Sequence, residues 1–131
     1  MDPRITIIIL AVADVKRSTK FYLDLGFPLD SEGDISSFFN LSGLKLGILD
    51  QKYLETDAGI VLNTKGYSPF NLTHTVNHKK DVDIILKKAE KLGGKIVRPP
   101  TVVEWGAYSG FFADPDNHLW EIFFHKDWIP K

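Results

Sequence analysis

The chain contains no cysteine, which excludes disulfides, thiolate chemistry and Cys-based zinc sites. It has almost no net charge, with 16 basic against 17 acidic residues and a formal charge of −1. No lysine run lies outside an expected helix face, so nothing favours nucleic-acid binding. A long hydrophobic run is missing too. Residues 5–13 are apolar, but the stretch is too short to span a bilayer and lacks the flanks of a signal peptide. The expectation is a cytoplasmic, bacterial-type protein with no membrane partner. What is present is ordinary globular composition, 44% hydrophobic and 25% charged over 131 residues. That supports one compact domain, 1–131, with a real core.

The order of elements repeats. RITIIILAVAD is rich in β-branched residues and reads as a strand. Asp14 is a good N-cap, and Val15, Ser18, Phe21, Tyr22 and Leu25 recur at helical spacing until Gly26 stops the helix. Short strand-like pieces follow at Phe27–Ser31, Ser36–Leu41 and Leu44–Asp50. In the second half Phe70–Asn77 alternates as a strand. Val82, Ile85, Leu86, Ala89 and Leu92 give an amphipathic helix ended by Gly93-Gly94, and strands are expected at Lys95–Val103, Ala107–Ala113 and His118–His125. The stops Gly26 and Gly93 lie 67 residues apart. Module one is 4–50, a connection covers 51–69 with QKYLETDAG as a short helix, and module two is 70–126. The repeat is one of pattern, without obvious identity between the halves.

Phe111–Phe124, FFADPDNHLWEIFF, is the most informative stretch. Asp114-Pro115-Asp116-Asn117 is a turn in which Pro sets φ and the Asp and Asn side chains bond nearby backbone. Asn117 tolerates the left-handed conformation that lets the next strand begin at once. Leu119, Glu121 and Phe123 then share one strand face, and Trp120, Ile122 and Phe124 the other. A carboxylate in so apolar a strand needs a metal, a cation, a proton or a ligand to offset lost hydration, unless it sits wet at a rim.

The segment resembles the closing hairpin of the glyoxalase/bleomycin-resistance/dioxygenase, or vicinal oxygen chelate, superfamily. There an aromatic precedes DPDG and a metal-binding Glu follows seven residues after the first Asp, which here is Glu121. Asn117 replaces the usual Gly. VADVKRSTKFYLDLGF and HKKDVDIILKKAEKLGG are similar to the family's two helices, so the resemblance spans nearly the whole chain. It implies an α+β fold of two βαβββ modules curling mixed sheets around a central cavity, helices outside, with a homodimer as the usual assembly. EWGAYSGFFADPDNHLWEI is closer to uncharacterised glyoxalase-like proteins than to the familiar lyases.

Superfamily enzymes hold a divalent cation with a ligand in the first strand of each module, often His, and the Glu of the last strand. Some add a fourth from the last strand of module one. The corresponding positions here are Ile7, Asn71, Glu121 and, within a residue, Leu46. Ile7 cannot coordinate, and Asn71 offers only a neutral carbonyl, whereas zinc, nickel or iron want two or three imidazoles or carboxylates. The expectation is that no metal or other cofactor is bound. If a metal were present, Glu121 with Asn71 or His125 would hold it. His74 should point to the helix, His78 should start it, and His118 lies in the hairpin.

The resemblance then implies an inter-sheet hollow lined by Ile7, Ile9, Leu119 and Phe123 around Glu121. Trp105, Tyr108 and Ser109 supply a rim, or pack the hairpin or a dimer seam, and Tyr53 and Tyr67 could cover the mouth. Three functions compete. One is a metal-free protein of the bleomycin-resistance type that binds a small apolar or aromatic molecule through Ile7, Ile9, Asn71, Trp105, Tyr108, Ser109, Glu121 and Phe123. Another is a lactoylglutathione-lyase-like or dioxygenase-like enzyme, metal-dependent or using Glu121 as catalytic acid or base. The third is an interaction domain whose cavity is filled by Ile7, Leu46 and Phe123.

Overall fold

A computed structural model describes residues 1–63 and 65–128. The chain divides into two compact units, 1–64 and 65–131. Each carries a four-stranded mixed sheet with β–α–β–β–β connectivity.

In the first unit, β1 (Ile7–Val12) runs parallel to β4 (Leu44–Asp50), and β3 (Ser36–Leu41) and β2 (Leu29–Glu32) continue antiparallel, in the order β1-β4-β3-β2. Helix α1 (Val15–Leu25) makes the crossover, as a parallel pair requires. Asp14 caps it by accepting from the Arg17 amide at 3.0 Å, and Gly26 closes it at φ 123°, where a side chain would be strained. Val15, Phe21 and Tyr22 bury against the sheet face that carries Leu10, Val12, Phe39, Leu46 and Ile48. A polar chain runs through this layer. Thr19 Oγ1 lies 2.6 Å from the Val15 carbonyl and 2.8 Å from Ser37 Oγ, so both buried hydroxyls are satisfied. Helix α2 (Gln51–Ala58) follows β4 directly, capped by Asp50 and ended by Gly59 at φ 70°.

The second unit repeats the wiring. β5 (Asn71–Thr75) is parallel to β8 (Leu119–Phe124), then come β7 (Tyr108–Ala113) and β6 (Lys95–Val102), in the order β5-β8-β7-β6. Helix α3 (Lys79–Lys91) lays Val82, Leu86 and Ala89 on Phe112, Trp120 and Ile122. Gly110 makes that contact possible, because a Cβ there would lie 2.4 Å from Leu86 Cδ1. The turn between β7 and β8 is built around Asp114, only 3% exposed. Its Oδ1 accepts from the Asp116 and His118 amides at 2.9 and 2.8 Å, and its Oδ2 meets His118 Nδ1 at 2.7 Å. Asn117 takes φ 66°, the left-handed conformation its short polar side chain tolerates.

Both sheets thus have one face under a helix and one open face. Strand register assigns residues to them. Leu46 is on the helix side of β4 and fully buried there, so it neither projects from the open face nor fills a cavity on it; Gly47 occupies that side. His74 lies with Leu72 and Val76 on the helix side of β5, as its alternation requires, and partial desolvation there holds its imidazole below the ordinary value of 6.5. His78 precedes α3 without a side-chain cap bond.

Candidate functional site

The open face of the second sheet carries a row of mixed polar and aromatic side chains. Pairing places Thr73, Glu121, Phe111 and Arg98 in one row across β5, β8, β7 and β6. Neighbouring strands are about 4.8 Å apart, so the backbones of Glu121 and Arg98 are separated by about 10 Å. Glu121 is half-buried and is not enclosed by apolar side chains alone. Thr73 Oγ1 donates to Glu121 Oε1 at 3.1 Å and accepts from Asn71 Nδ2 at 2.9 Å. Asn71 pairs with Leu119, one step along the sheet, and reaches the acid only through Thr73. The acid is therefore not alone on its strand face: an amide, a hydroxyl and the carboxylate form a relay. The signal was available, since alternation puts Thr73 on the face of Asn71 and Thr75.

At the other end of the row Arg98 lies over the Phe111 ring, 5.1 Å from its centroid. Its Nη1 donates to the carbonyls of Ser109 at 3.0 Å and Pro99 at 3.3 Å, and its Nη2 to Ser109 Oγ at 2.7 Å. Ser109, 1% exposed, is thus the anchor of a guanidinium. Arg98 escaped sequence reasoning because it stands in an edge strand between two register shifts, where a lone cation reads as solvated surface.

Beside this row is an aromatic cluster. The β6–β7 hairpin turns through Glu104-Trp105-Gly106, with Gly106 at φ 92° and its amide donating to the Val103 carbonyl at 2.9 Å. The turn carries Trp105 back over the sheet, where its ring lies 5.5 Å from Phe123, 5.4 Å from His125 and 6.2 Å from Trp128. Phe123 is 5% exposed, whereas Trp105 and Trp128 are 58% and 63% exposed and present broad flat surface to solvent. His125 Nδ1 accepts from the Asp127 amide at 3.2 Å.

Tyr108 does not join this face. It shares the helix side of β7 with Gly110, and its hydroxyl donates to Asp83 Oδ1 on α3 at 2.8 Å, with Lys79 Nζ 4.8 Å over the ring. The bond to the Asp83 carboxylate raises the phenol above its ordinary value of 10.0. Alternation separates Tyr108 from Ser109 and makes it a strut between sheet and helix. Tyr67 is exposed and meets Lys95 Nζ at 3.3 Å, and Tyr53 is exposed on α2.

Ile7 and Ile9 lie on the open face of the first sheet, 44% and 38% exposed. Ile7 borders a cleft of about 450 Å³ with Asn40, Leu44 and Lys45. At its rim Lys45 Nζ meets Asp30 Oδ2 at 2.7 Å, and this bond holds the Asp30 carboxyl below its ordinary value. Among the described residues no three His, Asp or Glu side chains converge as a metal centre would need, and no helix is long and apolar enough to cross a membrane.

Comparison with known proteins agrees with this architecture. A glyoxalase-related enzyme from Fulvimarina pelagi has a similar structure, with a TM-score of 0.89 and 26% identity over 94% of this chain and 88% of that one. A hypothetical protein from S. aureus superposes with a TM-score of 0.84 and 25% identity over 95% of each chain. A lactoylglutathione lyase from Agrobacterium tumefaciens, at 21% identity over 98% of each chain and a TM-score of 0.72, shares the fold. No protein of curated function matches the sequence. The sequence profile of the Glyoxalase/Bleomycin resistance protein/Dioxygenase superfamily matches residues 4–122, and with the two βαβββ modules this places the chain in that superfamily.

Proposed function

We propose that the protein binds a small molecule with an apolar or aromatic body on the open face of the second sheet, without a metal. The observation that carries this reading is the exposed pair Trp105 and Trp128, packed over the buried Phe123, beside the Thr73–Glu121 pair. Flat side chains supply contact area at low entropic cost, and a few polar atoms fix orientation. The donor set does not suit a divalent transition metal. Ile7 is an alkyl group, the Asn71 amide is turned to give its N–H₂ to Thr73, and His125 Nδ1 is engaged by backbone. Glu121 alone is a weak anchor.

A second reading is an enzyme of the lyase or dioxygenase type in which Glu121 moves a proton. It is favoured by the carboxylate itself: Oε1 is bonded to Thr73, while Oε2 has no hydrogen-bond partner among the described residues and could reach a bound molecule. We also infer a homodimer, because unpaired sheet edges and exposed aromatic residues are commonly covered by a second copy.

Elemental analysis with native mass spectrometry tests the main reading. The expected result is less than a tenth of an equivalent of zinc, nickel or iron, and a non-covalent adduct with an aromatic probe that Trp105→Ala weakens. One equivalent of transition metal that survives mild chelation would overturn it.

A further inference from the structure

Arg98 is fixed in an unusual way. A guanidinium has five N–H donors in a rigid plane. Both Nη1 hydrogens and one on Nη2 are spent on Ser109 and Pro99, so the end-on edge is occupied by Ser109 through its carbonyl and its Oγ. The plane is also held against Phe111. What is left is the side-on edge, Nε–H and the remaining Nη2–H, which has no partner among the described residues. No carboxylate of the described residues pairs with this cation either, since every fixed acceptor is a carbonyl or a hydroxyl. A partly buried charge with satisfied geometry and no counter-charge lacks only an anion. Two parallel N–H donors match the two oxygens of a carboxylate. The side chain is only partly buried, so the free edge is open to an incoming group.

The position gives the ligand its shape. Ser109, which anchors the guanidinium, pairs with Phe123 on β8, and Phe123 lies under Trp105. The anchor of the guanidinium is therefore one strand spacing, about 5 Å at the backbone, from Phe123, while the Arg98 backbone itself is two strands away. We propose that Arg98 binds a carboxylate and that the ligand of this face is an aromatic carboxylate, its ring against the exposed Trp105 and Trp128 that cover Phe123 and its acid group on the free edge of Arg98. This rests on the binding reading above and adds the substrate class to it. Glu121, on the same row but two strands from Arg98, then faces the opposite end of the molecule, where a neutral donor such as a hydroxyl or amine suits it and a second acid does not.

The test compares 2-naphthoate with 2-naphthamide on the unmodified protein, followed by ¹⁵N NMR of the Arg Nε–H and Trp Nε1–H signals. The proposal expects the acid to bind at least ten-fold more tightly and to move the Arg98 Nε–H signal, which the amide leaves in place. Arg98→Lys keeps the charge but lacks the fork, and should bring the acid to within about three-fold of the amide. Equal affinities with Trp105 shifted by both compounds would overturn the carboxylate assignment and leave the binding reading standing. No Trp105 shift from either compound at millimolar concentration would overturn both. An acid preference undiminished in Arg98→Lys and Arg98→Met would place the anion on another cation and overturn the assignment.

Discussion

One row across the middle of each sheet shows how the same wiring serves two ends. In the first sheet it reads Ile9, Gly47, Phe38, Ser31; in the second, Thr73, Glu121, Phe111, Arg98. Both rows have Phe on the third strand. Where the second sheet has a carboxylate, the first has a glycine over which Ile9 and Phe38 close, so tightly that a Cβ would lie 2.5 Å from Ile9 Cδ1 and 2.8 Å from Phe38 Cε1. The first row fills its own space with hydrocarbon. The second holds a donor, an acid, a ring and a cation, whose hydrogen-bonding capacity is only partly used within the unit. Duplicated connectivity fixes where side chains project, while the side chains alone decide whether a face is packed or left receptive.

The helix sides of the two sheets should behave alike, which gives the largest effect. Phe21→Ala under the first sheet should cost about 3–5 kcal/mol and Leu86→Ala under the second about 2–5 kcal/mol, read by urea denaturation. A loss below about half a kilocalorie in either would mean that its helix is not seated as described.

The two glycines separate the faces more finely. Gly110→Ala places a methyl against Leu86 Cδ1 in the core and 3.1 Å from the Arg98 carbonyl and the Pro100 nitrogen, neither of which can swing aside. Overpacking of that kind should cost about 1–3 kcal/mol. Gly47→Ala meets only the far ends of Ile9 and Phe38 on an open face, so it should cost under about 1 kcal/mol. Equal losses would show that the first open face is as rigid as the core.

Substitutions in the second row should move binding more than folding. Glu121→Gln keeps an acceptor for Thr73 and should change stability by less than about 1 kcal/mol while weakening ligand binding several-fold. A loss above about 2 kcal/mol with binding intact would make the carboxylate a structural partner instead.

The smallest effect is in pH dependence, and it differs between the units. Asp30 is held ionised by Lys45, so its contribution is present above the ordinary carboxylate value and is lost as pH falls through its lowered folded value. His74 is also depressed, by desolvation. Between its folded value and 6.5 the unfolded chain binds more protons than the folded one, so stability declines as pH drops through that window. Melting-temperature scans should show His74→Gln flattening the mildly acidic slope and Lys45→Gln flattening only the more acidic one. The reverse assignment would contradict the structure.

Much of the fold was legible because local chemistry and pattern agreed. Asp14, Gly26 and Gly93 bound the helices as their cap chemistry requires, and Asn117 took the positive φ that its turn needed. Ser36–Leu41 and Leu44–Asp50 appear as read from alternation and turns. The site was less legible, because its members are defined by register between strands. Glu121 stood out as a charge in grease, but Thr73 acquires meaning only when paired opposite it. Arg98 acquires its meaning only when bulges in β6 bring it to Ser109. The position near Leu46 was read only to within a residue, and one step of register decides that Gly47 rather than Leu46 is on the open face, just as one step separates Tyr108 from Ser109.

The most direct test of the contrast between the faces is a backbone-amide NMR map with a neutral aromatic probe, 2-naphthol, across both sheets. Shifts are expected at Thr73, Ser109, Glu121 and Phe123 and at the Trp105 indole, with Ile9, Phe38 and Gly47 unmoved. Shifts confined to the first sheet, or none at millimolar probe, would contradict it.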